Sequence, residues 1–249
     1  MPMLMLRDSL ISYTSSAEEY TVPSVIRRIA ANAFYDNGRL TRLTIPDSVT
    51  EIGDYAFKLC YNMTSIRLPL RVEKFGVGMF QQCRKLQEVV LPEGIRAIDA
   101  GMFVCCDSLR SLTIPSSVEG IAAKAFTGCL ELREILVMPE QLELLPENCR
   151  KTACVSYMNR HAADEGSALI DEFVLSDPVP VAELAIRGND KNAVRYMTDH
   201  GLLSGAETAG LIAEANARKR TEIAAMLLQA NRERGEAPGE ALYEMDPFA

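Results

Sequence analysis

The chain has no tryptophan and only two histidines, His161 and His200, among its 249 residues. Two imidazoles, with no nucleophile set beside a base and no convergent pair of carboxylates, leave little for acid–base or covalent chemistry, so a non-enzymatic protein is expected. No glycine-rich loop ends in a lysine, and no cofactor or metal site is expected. No apolar run approaches the roughly 20 residues of a spanning helix, which argues against membrane insertion. Cationic excess is also missing: 26 Lys and Arg stand against 34 Asp and Glu, a net charge of −8. Nothing concentrates cations along one face, and nucleic acid is not expected as a partner. The seven cysteines are odd in number and lack paired spacing, which suits reduced thiols better than a disulfide framework. Residues Met1 to Asp8 carry neither the basic head nor the long apolar stretch of a secretory leader. A cytoplasmic location is therefore expected, with secretion or the cell surface as the alternative should a leader have been removed.

What the chain does have is a register. Pro23, Pro46, Pro69, Pro92 and Pro115 recur every 23 residues, shadowed by Phe34, Phe57, Phe80, Phe103 and Phe126. A fixed period of this length means stacked rungs, a solenoid in which each rung contacts its neighbours. Before each proline stands Val22, Ile45, Leu68, Leu91 or Ile114; three after it come Ile26, Val49, Val72, Ile95 and Val118; six after it, Ile29, Ile52, Phe75, Ile98 and Ile121. A pair three apart closes each turn, from Leu40 and Leu43 through Leu132 and Ile135. These apolar columns must converge on one interior. The segment Leu40 to Pro46 alternates inward and outward like a strand, so successive rungs can pair it into a parallel ladder at about 4.8 Å spacing. Proline, having no amide hydrogen, ends the pairing. One isolated rung buries too little to fold alone, so the array is obligatory and its ends need caps.

The pattern Leu-x-x-Leu-x-Ile-Pro-x-x-Val-x-x-Ile-Gly-x-x-Ala-Phe-x-x-Cys, cleanest from Leu43 to Cys60, resembles the BspA-type leucine-rich repeat family over about residues 20 to 145. The resemblance implies a right-handed leucine-rich-repeat solenoid, here five 23-residue rungs plus a partial sixth. Members include bacterial surface adhesins, so a bacterial source is expected.

Departures mark the ends. The first rung has Asn37 where later ones have Cys60, Cys83, Cys106 and Cys129. Leu10-Ile11-Ser12-Tyr13 and Glu19-Tyr20-Thr21-Val22 read as a hairpin closing the ladder. At the far end Pro139 arrives one residue late, followed by Leu142, Leu145 and Pro146 but no phenylalanine. Beyond about residue 150 the period becomes helical: Ala182 to Ile186, Ala193 to Met197, Ala209 to Ala217 and Ile223 to Leu228 read as two helix pairs. The spacing of Ala185 and Met197 recurs in Ala215 and Leu227. Pro180-Val181, Leu184-Ala185, Gly188-Asn189 and Gly201 are similar to a degenerate ankyrin repeat, the second copy having Arg218-Lys219-Arg220 in place of the Gly-Asn turn. Ala153 to Ala163 and Ser167 to Phe173 read as connecting helices. The expected fold is thus α+β: a cap hairpin over 1–22, a solenoid over 23–146, an ankyrin-like helical module over 147–235 and an extended tail over 236–249. Charge divides unevenly, with 15 basic and 15 acidic side chains in residues 1–136 but 11 and 19 beyond them.

Several residues invite chemical readings that the repeat explains more simply. The four-cysteine column is expected to fill core space, Cys105-Cys106 to carry no functional disulfide, and Cys149 and Cys154 to lack enough companions for a zinc site. Gly76-Val77-Gly78 falls in the positions of Gly53-Asp54-Tyr55, so it is a rung corner and not a phosphate loop. His161 reads as a helix-surface residue and His200 as a helix end. Asn62-Met63-Thr64 fits a glycosylation sequon. The remaining signal is the outward strand positions: Arg42, Ser65, Glu88, Ser111 and Glu134 in one column, Thr44, Arg67, Val90, Thr113 and Leu136 beside it. Val90 and Leu136 are apolar where alternation puts water, flanked by Arg67 and Glu88, as in an interface with a polar rim. A protein partner on this face is the expected function, of unspecified identity and oligomeric state. A carbohydrate- or surface-binding adhesin is the alternative, weakened by the absence of Trp and of any aromatic in the two columns. A purely structural repeat is the third reading.

Overall fold

Phe34, Phe57, Phe80, Phe103 and Phe126 lie one above another, with ring centroids between 5.5 and 6.0 Å apart. The column is the axis of a solenoid of about six turns. The computed structural model describes residues 3–161 and 166–235, which divide between two units, Met1–Glu147 and Asn148–Ala249. The tail over 236–249 lies outside the described residues.

In the first unit the strands run β1 (Met3–Leu6), β2 (Ser9–Tyr13), β3 (Glu19–Thr21), β4 (Arg28–Ile29), β5 (Arg42–Thr44), β6 (Glu51–Ile52), β7 (Ser65–Arg67), β8 (Lys74–Phe75), β9 (Glu88–Val90), β10 (Ala97–Ile98), β11 (Ser111–Thr113), β12 (Gly120–Ile121) and β13 (Glu134–Leu136). The odd strands from β3 to β13 form one six-stranded sheet, and β1-β2-β4-β6-β8 form a second, with β10-β12 continuing apart from it. Pairing is parallel throughout except between β1 and β2. The core between the ladders is the set of columns read from the period: Ile26, Val49, Val72, Ile95 and Val118 are all buried, as are Leu40, Met63, Leu86 and Leu109.

The N-terminal cap corrects one expectation. A hairpin is present, but its strands are β1 and β2. Leu10–Tyr13 and Glu19–Val22 do not pair: β2 joins β4 on the second sheet while β3 joins β5 on the first. Glu19-Tyr20-Thr21 lies one period before Arg42-Leu43-Thr44 and obeys the repeat, so parallel pairing places it as a rung. Tyr13 and Tyr20, 4.1 Å apart, finish the phenylalanine column, Tyr13 standing 5.2 Å from Phe34. At the other end the Gln141 side-chain amide donates to the carbonyls of Pro115 (3.0 Å) and Val118 (2.8 Å), covering groups a further rung would have used. Leu142 and Leu145 are buried behind it.

One corner position is left-handed in every rung: Asp36, Leu59, Gln82 and Cys105 have φ between 56° and 65°, and Gly128 has 83°. Such a backbone costs a non-glycine residue about 1–2 kcal/mol. It is offset by a rung-to-rung bond, since the amides of Asp36, Leu59, Gln82 and Cys105 donate to Lys58, Gln81, Val104 and Thr127 at 2.8 to 3.0 Å.

The third and fourth rungs join more loosely than the rest. β8 and β10 do not pair with each other, and β7 meets β9 only at Ser65 and Glu88. Ile45 and Leu91 donate their amides to Arg67 and Thr113 of the next rung, whereas the equivalent Leu68 has no acceptor among the described residues. Two residues account for the opening. Phe75 is bulkier than the isoleucine of the other rungs, and Asp99 carries a Cβ where Gly53 and Gly76 carry none. A Cβ at Gly76 would lie 2.2 Å from the backbone of Gly53 and Asp54, which measures how closely rungs two and three approach.

The second unit is helical: α1 (Glu147–Arg160), of which only Glu147 belongs to the first unit, α2 (Ala168–Ser176), α3 (Pro178–Gly188), α4 (Lys191–Asp199), α5 (Gly205–Ala217) and α6 (Thr221–Glu233). Ala162 and Ala163, expected at the end of the first helix, lie outside the described residues. The pairs α3/α4 and α5/α6 are two hairpins stacked α3 on α5 and α4 on α6. Ala185, Met197, Ala215 and Leu227, the residues whose spacing recurs, are fully buried. The turns match as well: Asn189 (φ 62°) and Lys219 (φ 59°) are both left-handed, and Asp190 and Arg220 donate to Ala185 and Ala215 at 2.8 and 2.7 Å. Arg218-Lys219-Arg220 is therefore the same turn as Gly188-Asn189-Asp190, closed by Arg220 at the start of α6.

Candidate protein-interaction surface

The ten outward residues of the strand pattern stand in two files on the six-stranded sheet. Register places Arg42, Ser65, Glu88, Ser111 and Glu134 side by side; in the other file Thr44 stands beside Arg67, and Val90, Thr113 and Leu136 stand side by side, with Arg67 and Val90 on either side of the loose β7–β9 joint. Leu43, Val89, Leu112 and Ile135 point the other way into the core. Arg42, Ser65, Arg67, Glu88 and Val90 are exposed; Thr44, Ser111, Thr113, Glu134 and Leu136 are half-buried. Only Val90, at 57% exposure, fits the expectation of an exposed apolar side chain, because Leu136 is partly covered. From β3 to β13 the sheet spans about 24 Å at the usual strand spacing.

Charges are distributed unequally along this face. At one end Arg42 forms an ion pair with Glu19 (3.1 Å), and at the other the Ser111 hydroxyl donates to Glu134 (2.7 Å). Between them, the side chains of Arg67 and Glu88 make no ion pair or hydrogen bond with any described residue. These two and Val90 sit where rungs three and four join loosely. The second sheet is different: Arg28 pairs with Asp8 (3.1 Å) and Lys74 with Glu51 (2.9 Å), beside a shallow groove bordered by Ser9, Ile11 and Gly53.

The cysteine column has a structural role. Cys60, Cys83, Cys106 and Cys129 donate their thiols to the carbonyls of Phe34, Phe57, Phe80 and Phe103 at 3.1 to 3.2 Å. The first rung has no phenylalanine carbonyl beneath it, and there Asn37 accepts from the Leu40 amide instead (3.2 Å). Burial pushes the Cys60 thiol up to about 12 and those of Cys83 and Cys106 well above the ordinary range, so none is a nucleophile at neutral pH. Cys149 and Cys154 are also raised by burial, to about 11 and about 12. No group of three or more metal-binding side chains occurs among the described residues. The sequon is engaged in the fold: Asn62 donates its side-chain amide to the Gly38 carbonyl (2.6 Å), and the Thr64 hydroxyl donates to Thr41 (3.1 Å). Gly53 and Gly76 are sites of close backbone approach between rungs.

In the helical unit a motif escaped the sequence reading. Tyr157-Met158-x-x-His161 and Tyr196-Met197-x-x-His200 end α1 and α4 in the same way. His161 is half-buried, stacked on Tyr157 with centroids 3.8 Å apart, and His200 meets the Tyr196 ring edge-on at 3.9 Å. The Tyr196 hydroxyl accepts from the Ser167 amide (3.0 Å) and donates to Asp171 (2.8 Å), tying the start of α2 to α4. Burial holds its pKa well above the ordinary tyrosine range. This cluster fastens helices, the Tyr196 hydroxyl bridging Ser167 and Asp171. The shared Tyr-Met-x-x-His spelling was the signal that could have found it.

Comparison with known proteins places the repeats. The family model for the BspA type leucine rich repeat region matches residues 6–133 in six copies. Among solved structures, a leucine rich cell surface protein from Faecalibacterium prausnitzii A2-165 is 31% identical with a TM-score of 0.52, covering 55% of this chain and 38% of that one. The leucine rich repeat protein of T. pallidum is 30% identical with a TM-score of 0.50, covering 54% of this chain and 66% of that one. The chain thus spans less than two thirds of the length of either. No curated protein matches it. The family match stops before the helices.

Proposed function

The chain belongs to the BspA-type leucine-rich repeat family, and we propose that it is a non-enzymatic binding module whose six-stranded sheet receives another protein around Arg67, Glu88 and Val90. The observation that supports this reading is the contrast along one face. One rim pairs its arginine with a glutamate and the other holds its glutamate by a serine hydroxyl, whereas its centre presents one cation, one anion and one exposed valine without partners among the described residues. An exposed apolar residue beside uncommitted charges has the composition of an interface centre and rim. Arg42, Thr44, Ser65, Ser111, Thr113, Glu134 and Leu136 would supply the surrounding contacts. The helical unit, ankyrin-like in its repeated hairpin, adds a second stackable surface. Affinity capture from the native host tests the proposal. The triple variant Arg67→Glu, Glu88→Lys, Val90→Ser should lose its partner while keeping the parent's melting temperature; undiminished capture sinks it.

The place of action is a second matter. The F. prausnitzii relative is a cell surface protein, which favours a surface reading over the cytoplasmic one that the first residues suggested. No helix among the described residues is long and apolar enough to cross a membrane. Protease treatment of intact host cells separates the two: digestion places the protein outside, protection with release on lysis places it inside.

A further inference from the structure

The cap of a solenoid normally turns a polar outer layer to water, and here it does not. β1 is the outermost strand of its sheet, bonded to β2 on one side and to no described residue on the other. Its sequence is Met3-Leu4-Met5-Leu6, with Leu4 58% and Leu6 66% exposed and the two methionines half-buried toward the core side. An open strand edge is usually protected by lysine, proline, a charge or a bulge on the edge strand itself. β1 has none of these: all four residues are uncharged, and the bulge in the β1–β2 pair, where the register skips Ile11, lies on β2.

We propose that this edge pairs with the same edge of a second copy of the chain. Leu4-Met5-Leu6 is a palindrome about Met5. A two-fold axis through that residue sets Leu4 of one copy against Leu6 of the other, and Leu6 against Leu4, on the solvent face. Met5 meets its own copy on the core face, so the apolar lining of one solenoid runs into the other across the joint. Antiparallel cross-strand pairs of this kind bring Cβ atoms to about 4.5–5.5 Å. The closed two-fold arrangement satisfies both edges and leaves this sheet no open strand at that end. With no charge on the strand, nothing on it repels the second copy. The face carrying Arg67 and Glu88 lies on the other sheet, so this pairing is separate from the proposed partner site.

Sedimentation of the full chain over a concentration series tests the idea. The parent should approach twice the 27.5 kDa chain mass, and the Leu4→Lys/Leu6→Lys double variant should remain at the single-chain mass with an unchanged circular dichroism spectrum. A parent that stays at the single-chain mass at every concentration overturns the proposal, and so does a folded double variant that still dimerises. The register has its own check that does not depend on the lysines being tolerated. Mixing a Leu4→Cys chain with a Leu6→Cys chain under mild oxidation should give mainly the mixed disulfide dimer; equal amounts of mixed and self-linked dimers, or none, overturn the two-fold pairing.

Discussion

The two units of this protein solve the same problem, repeating a short element around an apolar interior, with opposite tolerances. In the solenoid, equivalent positions touch one another: Phe80 stacks on Phe57 and Phe103 at 5.6 and 5.5 Å. Each residue is its neighbour's environment, so the side-chain type repeats with the geometry. In the helical unit, equivalent positions lie in separate hairpins, and the geometry repeats while the residues change. Lys219 adopts the turn conformation that Asn189 adopts, and His200 ends α4 where Ala230 precedes the end of α6. A solenoid writes its period into the sequence; a helix pair writes only its apolar spacing.

The largest test of that contrast is Phe80→Ala. A fully buried ring in mid-column should cost about 3–5 kcal/mol, transfer and cavity together. Because the column is continuous, hydrogen exchange should accelerate in the rungs of Phe57 and Phe103 as well as in that of Phe80, while the amides of α5 and α6 keep their protection. Loss of protection confined to one rung would show that the rings stack without supporting each other.

The same substitution should have opposite signs in the two units. Gly76→Ala drives a Cβ into the preceding rung's backbone, 2.2 Å from Gly53 and Asp54, and overpacking of this kind costs about 1–3 kcal/mol or more. Gly210→Ala, within α5 and with nothing within 4 Å of the new atom, should stabilise by about 0.8–1 kcal/mol through helix propensity. Chemical denaturation of the two variants reads both signs, and a shared sign would mean that glycine is chosen for the same reason in each unit.

Alkaline pH probes what the units share. Cys60 in the solenoid and Cys154 in α1 are both raised by burial from an ordinary 9.0 to about 12. The folded chain keeps these protons after the unfolded chain has begun to release them. Their contribution is therefore complete below pH 9 and is lost as pH rises from 9 toward 12, by about 1.4 kcal/mol per thiol at pH 10. Replacing either cysteine by alanine should flatten the decline of stability between pH 9 and 11 by about 2 kcal/mol, whatever it does to the plateau. An equal slope in parent and variants refutes the burial of these thiols.

How much of this was legible beforehand follows from the same contrast. The phenylalanine column, the cysteine column and the corner glycines could be read because stacking repeats them once per rung. The cap was misread at one point: Leu10–Tyr13 and Glu19–Val22 look like a hairpin when judged as neighbours, although Tyr20 stands one period before Leu43 and Val22 one period before Ile45. The period outranks proximity. β1 gave no such signal because it pairs antiparallel and lies outside the repeat. The opening between rungs three and four was written as Phe75 and Asp99, but its effect depends on how closely rungs two and three approach, a distance that no residue type states. For the interaction surface, alternation identified the two outward files, while the lack of described partners for Arg67 and Glu88 depends on rotamers and cross-strand geometry.

The smallest expected effect bears on whether the helical turns are equivalent in energy as well as in shape. Lys219 holds φ 59° on an exposed turn between α5 and α6, and Asn189 holds φ 62° between α3 and α4. Asparagine tolerates the left-handed region through its short polar side chain, whereas lysine bears the clash of its Cβ with the following carbonyl, about 1–2 kcal/mol. Glycine removes that clash and returns part of the gain through the greater freedom of its unfolded chain. Lys219→Gly should therefore stabilise by about 0.5–1 kcal/mol, and Asn189→Gly by less, each read as a shift in denaturation midpoint at constant slope. Lys219→Gly must also keep the Arg220 amide on the Ala215 carbonyl at 2.7 Å, because that bond closes the turn. If the lysine variant is destabilised instead, the two hairpins share a shape through different interactions, and the helical repeat is one of packing alone.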